Sequence, residues 1–85
     1  MGSYKVLIKA SAAKELEAVP KKDRQRIARR IQDLTRERLP EGAEKLSGQK
    51  RYRIRQGSYR IVYSIDDDKK EILVFKVGHR RDVYR

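Results

Sequence analysis

The spacing of apolar residues changes along the chain, and this change constrains the fold more than any other feature. Near the start, the β-branched run from Tyr4 to Lys9 alternates between two faces, which predicts a first strand. Apolar residues then recur three or four positions apart in two successive stretches, and this period predicts two amphipathic helices. The stripes are Ala12, Leu16 and Val19 in the first helix and Ile27, Ile31 and Leu34 in the second.

Polar and imino residues mark where these helices are expected to begin and end. Ser11 is suited to cap the first helix through its hydroxyl oxygen. Pro20 is expected to end that helix and to open the second, since its missing N–H costs nothing in a first turn. Residues 39–42, Leu-Pro-Glu-Gly, then break the helical pattern.

The rest of the chain predicts an antiparallel meander of strands. The runs are Arg51 to Arg55, Ser58 to Ile65 and Ile72 to Val77, joined by turns at Gln56–Gly57 and at residues 66–70. The order β-α-α-β-β-β predicts an α+β fold, with two antiparallel helices packed on one face of a small antiparallel sheet. We expect residues 1–85 to form a single domain, because the chain is too short for two cores.

Charge and composition narrow the function. The chain has 23 Lys and Arg against 12 Asp and Glu, a formal net charge of +11, so a polyanion is the expected partner. Cysteine is absent and His79 is the one histidine, so we expect neither a metal site nor another cofactor. No apolar run or signal-like start predicts membrane association, and the expected location is the cytoplasm.

Arginines alternate along the second predicted strand. Arg51, Arg53 and Arg55 should share one face, because residues two apart in a strand point the same way. The alternation in the next strand places Arg60 on that face as well. Such a row would suit the phosphate backbone of a nucleic acid. The alternative is a solvated face, or one whose arginines pair with the acids of residues 66–68.

The last eight residues, Gly-His-Arg-Arg-Asp-Val-Tyr-Arg, are basic and aromatic. One interpretation is a frayed terminus. In the other, Gly78 turns the chain so that Arg80 and Tyr84 cover the open sheet face. A tyrosine beside a basic cluster can stack on a nucleobase or exchange a proton.

Taken in order, these segments resemble the RelE/ParE toxin superfamily over almost the whole chain, and the RelE branch most closely. The motifs that carry the resemblance are Ala12-Ala13-Lys14-Glu15-Leu16, Lys45-Leu46-Ser47-Gly48, Tyr52-Arg53-Ile54-Arg55, Gly57-Ser58-Tyr59-Arg60-Ile61-Val62-Tyr63 and Val77-Gly78-His79-Arg80-Arg81-Asp82-Val83-Tyr84.

The resemblance implies a toxin that cleaves mRNA at the ribosomal A site and is inhibited by an acidic RelB-like antitoxin. It also implies a set of catalytic residues: Arg53, Arg55, Arg60, Arg80 and Tyr84. The strand pair is often lysine in such toxins and is Arg53 and Arg55 here, which weakens any role for this pair as general base.

Without a metal, the expected reaction is attack of the substrate's own 2′-OH on the adjacent phosphate. The strand arginines would stabilise the developing charge, Arg80 would serve the leaving group, and Tyr84 would orient the nucleotide or transfer a proton. His79 has a suitable intrinsic pKa for acid–base work, although a structural role is the alternative. Further contacts with RNA are expected from Lys50, Arg51, Arg81 and Arg85.

Three other functions stay open at this point. The first is a ParE-like toxin that poisons DNA gyrase by binding it, and the second is a non-catalytic basic protein that binds RNA or the ribosome. The third is a degenerate toxin that keeps the fold without the activity.

Overall fold

A computed structural model describes residues 3–46 and 50–79 of the chain. Within them, the predicted α+β order is confirmed, with one additional short strand after the second helix. The elements are β1 (Lys5–Ile8), α1 (Ala10–Glu17), α2 (Lys21–Asp33), β2 (Glu44–Lys45), β3 (Arg51–Gln56), β4 (Tyr59–Asp66) and β5 (Glu71–His79).

The strands form a single sheet in the order β1-β5-β4-β3-β2. Its central strands form the predicted antiparallel meander. At one edge β1 runs parallel to β5, so the sheet is antiparallel except for this pair. At the other edge the two residues of β2 pair with β3. The sequence did not predict β2, because two residues are too few to display a strand period.

Both helices are held by packing more than by capping. Ala12, Ile27 and Ile31 of the predicted stripes are buried within the helices, and Val19 and Leu34 are buried just beyond the helix ends. Leu16 is only partly buried and packs against the core. Pro20 precedes α2 as predicted, but α1 begins at Ala10 with Lys9 at its N-cap, so the prediction that Ser11 caps this helix is wrong. Neither N-cap side chain makes a capping hydrogen bond, so burial of the apolar stripes supplies most of the helical stability.

The core lies between the helices and one face of the sheet. The sheet contributes Ile54, Ile61, Tyr63, Ile72, Val74 and Val77 to it. Tyr63 is fully buried, and its hydroxyl donates a 2.8 Å hydrogen bond to the carbonyl of Arg38. This bond satisfies the only polar atom of the Tyr63 side chain. The opposite sheet face carries the arginines.

A β-bulge interrupts β5 and changes which way its later residues point. Val62 pairs with Lys76 while Tyr63 pairs with Val74, so Phe75 is an extra residue opposite no partner. Val74 and Val77 are consequently both buried against the helices, although they are three positions apart. A bulge of this kind shifts the alternation by one residue. Residues after Phe75 therefore point to the face opposite to that expected from simple alternation.

Two turns connect the strands of the meander. Gly57 has a φ of +60°, which glycine adopts without strain, between β3 and β4. In the turn before β5, the carboxylate of Asp66 accepts a 3.0 Å hydrogen bond from the backbone N–H of Lys69. The turn ends at Lys70, whose φ of 53° is uncommon for a residue with a side chain. Among the described residues, no helix has the length and apolarity needed to cross a bilayer.

The buried Tyr63 predicts a loss of stability in alkali. Burial raises its pKa from 10.0 to about 12. The folded state therefore holds the phenol proton more tightly than the unfolded state, and this stabilisation disappears as the pH rises from 10.0 to about 12. At neutral pH we expect Tyr63→Phe to lower the free energy of unfolding by about 1 kcal/mol, through loss of the hydrogen bond.

Thermal unfolding of the wild type and of Tyr63→Phe, measured across alkaline pH, tests this expectation. The stability difference between them should shrink over the range in which Tyr63 titrates. A difference that stays constant up to strong alkali would contradict it.

Candidate functional site

Three arginines of β3 lie on the sheet face opposite to the helices. Arg51, Arg53 and Arg55 alternate along the strand with Tyr52, which packs against the core, and Ile54, which is buried in it. In the pairing of β3 with β4, Arg55 stands opposite Arg60. The structure thus brings Arg53, Arg55 and Arg60 together on one face, as predicted.

Arg60 differs from the other arginines in its burial. We expected it on an open face, but only 4% of the residue is exposed. A guanidinium cannot lose its proton to escape this environment. Its Nη1 is 3.4 Å from the carbonyl of Tyr59, and within the described residues its Nε meets no hydrogen-bond partner. Arg60 is thus a buried cation whose Nε has no hydrogen-bond partner among the described residues.

Glu44 pairs with one arginine of this cluster, a contact that was not predicted from the sequence. Its carboxylate accepts a 2.6 Å hydrogen bond from Nη2 of Arg53 across the β2–β3 pair. That hydrogen bond and the charge of Arg53 lower the pKa of Glu44, and the charges of Arg55 and Arg60 lower it further. Glu44 therefore lies within electrostatic reach of all three arginines. Glu44 lies in β2, a strand too short to be predicted from the sequence, so nothing in the sequence indicated that its carboxylate would meet Arg53.

The acids of the β4–β5 turn, which the alternative interpretation assigned to the arginine row, contact other groups. Asp67 accepts a 2.6 Å hydrogen bond from the hydroxyl of Tyr4 and pairs at 3.2 Å with Nε of Arg38. Asp66 binds the backbone of its own turn. Among the described residues, the acid that pairs with the row is Glu44, which lies at the sheet edge and contacts Arg53.

His79 lies on the face away from the arginines. It pairs with Tyr59 across β4 and β5, and the two rings meet edge to face with centroids 5.8 Å apart. Tyr59 packs against the core on the side of the helices. The bulge at Phe75 causes this placement, because without it His79 would share the face of Arg60. The structure does not bring His79 together with the arginine cluster.

The remaining predicted residues fall into two groups. Lys50 is exposed before β3, and the guanidinium of Arg51 lies 4.0 Å from the ring centroid of Phe75. The predicted contributions of Arg80, Arg81, Tyr84 and Arg85 lie outside the described residues.

The Glu44–Arg53 pair predicts a pH-dependent stability. A carboxylate whose pKa is lowered stabilises the folded state above its ordinary value of 4.5, and this stabilisation is lost as the pH falls through the lowered pKa. Glu44→Gln should therefore lower the melting temperature slightly at neutral pH and leave it unchanged in strong acid. Thermal melts across this range, with Glu41→Gln as an exposed control, test the pair. An equal difference at both extremes would contradict a role for the charge.

Comparison with known proteins identifies the family of this chain. The family model for the ParE toxin of the type II toxin–antitoxin system parDE matches residues 6–84, which is nearly the whole chain. The chain belongs to this family of toxins. The matched segment includes both helices and every strand that carries an arginine of the cluster.

Relatives with RelE names are similar as well. Toxin RelG of Mycobacterium tuberculosis is 39% identical to this chain over 56 residues, and the match covers 62% of each protein. The chain thus matches about three fifths of the length of this curated relative. The archaeal RelE–RelB complex of Pyrococcus horikoshii OT3 matches with 31% identity and a TM-score of 0.83, over 92% of this chain and 96% of the other.

A third relative is the toxin–antitoxin complex RelBE2 of Mycobacterium tuberculosis. It matches with 27% identity and a TM-score of 0.82, over 92% of this chain and 99% of the other. Together these similarities confirm the RelE/ParE toxin superfamily and the RelE-like fold.

Proposed function

We propose that the toxin is a ribosome-dependent endoribonuclease, which cleaves mRNA in the A site and so inhibits translation in the cytoplasm. The observation that carries this proposal is the cluster of Arg53, Arg55 and Arg60 on the sheet face opposite to the helices. Burying one guanidinium beside two others opposes folding, because like charges repel and desolvation is costly. A site that binds the phosphate of a reacting RNA gives this arrangement a use.

The proposed reaction uses the nucleophile that RNA itself carries. The 2′-oxygen loses its proton and bonds to the adjacent phosphorus, while the bond to the 5′-oxygen breaks and that oxygen gains a proton. The products are a 2′,3′-cyclic phosphate and a free 5′-OH. Arg53, Arg55 and Arg60 stabilise the extra negative charge of the pentavalent phosphorus. Their guanidiniums remain charged throughout, so the proton transfers need other groups.

Tyr84 and Arg80 are our candidates for the remaining steps. Arg80 stabilises the negative charge that develops on the leaving oxygen, and Tyr84 stacks on the nucleotide or takes part in proton transfer. An ordinary tyrosine titrates near 10, so action as a base requires the support of neighbouring arginines. Contacts to the RNA backbone are assigned to Lys50, Arg51, Arg81 and Arg85. The ribosome adds to the rate by holding the mRNA in line for attack.

The proposed protein partner is a small acidic antitoxin of the RelB type. Two of the solved relatives are RelE–RelB complexes, from an archaeon and from Mycobacterium tuberculosis. The net charge of +11 favours association with an acidic chain.

A ParE-like action on DNA gyrase is the second candidate, and the match to the ParE family model favours it. One experiment separates the two. The purified toxin is incubated with translating ribosomes, the mRNA 5′ ends are mapped, and gyrase supercoiling is assayed in parallel. Cuts within A-site codons support the nuclease. Gyrase inhibition without cuts supports the ParE-like action. If neither cuts nor gyrase inhibition is found, the protein is a non-catalytic RNA-binding protein or a degenerate toxin.

The proposed chemistry predicts that chelators of divalent metals do not affect the enzyme itself. Among the described residues, no three histidines or acids lie close enough together to hold a metal ion. After ribosome-bound mRNA complexes are formed with magnesium, we expect a brief exposure to a chelator selective for transition metals to leave the cleavage rate unchanged. A requirement for a divalent ion bound by the toxin, or products that end in 3′-OH, would refute the 2′-OH mechanism.

A further inference from the structure

Phe75 lies outside the core, between two cations on the arginine face of the sheet. The guanidinium carbon of Arg51 is 4.0 Å from its ring centroid, and Nζ of Lys9 is 5.8 Å from it. Phe75 is partly exposed, whereas its neighbour Val74 is fully buried. The one phenylalanine of the chain is therefore partly exposed between two cations and does not belong to the core.

The bulge in β5 creates this arrangement. Phe75 is the residue that the bulge inserts, and its ring reaches the face of Arg51, whose partner in β4 is Ser64. Bulges re-aim side chains and occur often beside functional sites. The small Ser64 leaves room for Arg51 to extend across β4 towards the ring.

The Phe75–Arg51 pair continues the line of the arginine cluster. Arg51 and Arg53 are two residues apart on one face of β3, a separation of about 6.6 Å. A nucleic-acid strand that places a phosphate at Arg53 therefore passes Arg51 and Phe75. An aromatic ring and a guanidinium plane beside a cationic track are the groups on which unpaired bases stack.

We propose that Phe75, Arg51 and Lys9 form a subsite for a nucleobase next to the phosphate bound by the arginine cluster. The base stacks on the Arg51 guanidinium, Phe75 holds that guanidinium in place from beneath, and Lys9 attracts the adjoining phosphate. This inference rests on the proposed RNA substrate. It adds Phe75 and Lys9 to the site, and it gives Arg51 a stacking role in place of the backbone contact assigned above. The rival occupant is an acidic peptide. Arg51 and Lys9 would bind its carboxylates by charge alone, so the aromatic ring of Phe75 would not be needed.

Equilibrium binding of a short single-stranded RNA tests the subsite on the full chain. The probe carries the fluorescent base 2-aminopurine, whose emission falls when it stacks. The informative variants keep the net charge: Phe75→Leu removes the ring, and Arg51→Lys removes the guanidinium plane. Phe75→Tyr retains a ring and serves as the rescue variant. Lys9→Ala is compared with Lys21→Ala, which removes an equal charge from an exposed position on α2.

We expect Phe75→Leu and Arg51→Lys to weaken RNA binding by about ten-fold and to abolish the quenching. Phe75→Tyr should restore both, and Lys9→Ala should weaken binding more than Lys21→Ala. Circular dichroism verifies that each variant is folded. Unchanged affinity and quenching in Phe75→Leu would overturn the subsite. Loss of binding to an acidic peptide with no change towards RNA would overturn it in favour of the rival occupant.

The same proteins separate failure of the subsite from failure of the proposed function. A wild type that quenches the probe but cuts no ribosome-bound mRNA refutes the nuclease and leaves the subsite in place. A wild type that cuts, beside a Phe75→Leu variant that binds RNA equally well, refutes the subsite alone.

Discussion

Arg60→Met is expected to reduce the rate of mRNA cleavage on ribosomes by about 10²–10³. Removal of one positioned donor to a charged transition state typically costs this much. The loss caused by Arg60→Met should lie at the upper end of this range, because the burial of Arg60 lowers the local dielectric and strengthens its attraction for the phosphorane. Methionine keeps most of the aliphatic volume, so the variant tests the guanidinium rather than the packing of the stem.

The stability of the same variant provides an independent test. A buried cation near Arg53 and Arg55, with an Nε that lacks a hydrogen-bond partner in the described structure, opposes folding. We therefore expect the melting temperature of Arg60→Met to equal or exceed that of the wild type. Arg36→Met, at an exposed position after α2, is the control for loss of one charge. Wild-type cleavage by a folded Arg60→Met, or its marked destabilisation, would make Arg60 a structural residue.

The parts of the fold that the sequence predicted are those governed by a simple period. The helical stripe that includes Ile27 and Ile31 is buried as expected, and Arg53 and Arg55 share a face because strand residues alternate. Local alternation, however, fixes only the faces within one strand. That Arg55 stands directly opposite Arg60 depends on the tight turn at Gly57, which sets the register.

The position of His79 could not be predicted, because the bulge lies inside an apolar run. Residues 72–77 are five apolar side chains and one lysine, with no change of composition where Phe75 is inserted. Both registers bury apolar residues, so hydrophobicity alone does not choose between them. The pairing of β5 with β4 makes the choice, and it turns His79 towards Tyr59.

Glu44 and the burial of Arg60 eluded prediction for a different reason. Both depend on contacts between segments far apart in the sequence or in elements too short to recognise. Glu44 gains its role only because β2 adds to the edge of β3. Charged residues are usually exposed, so a rule based on residue type places Arg60 in solvent. We take this exception as support for the proposed site, because charged groups in strongly perturbing surroundings cluster at functional sites.

The second large effect is expected in cells: production of the chain alone should arrest growth, and production with its acidic antitoxin should not. A net charge of +11 and Arg55, the exposed member of the arginine cluster, give the antitoxin an electrostatic target. The association should be fast and should weaken as salt is added, because rim charges steer the encounter.

Arg60→Met makes this prediction specific to cleavage, since the variant keeps the surface but should lose the reaction. We expect it to be harmless when produced alone, while it still copurifies with the proposed acidic antitoxin, for which the neighbouring gene is the candidate. Growth arrest by Arg60→Met equal to that of the wild type would show that toxicity arises from binding, as in gyrase poisoning. If the wild type is active in the cleavage assay but does not slow growth when it is produced alone, and no small protein copurifies with it, the proposal of an antitoxin partner is refuted. Growth curves of the two proteins, each with and without the neighbouring gene, distinguish these outcomes, because inhibition by cleavage should require the buried guanidinium of Arg60 whereas inhibition by binding should not.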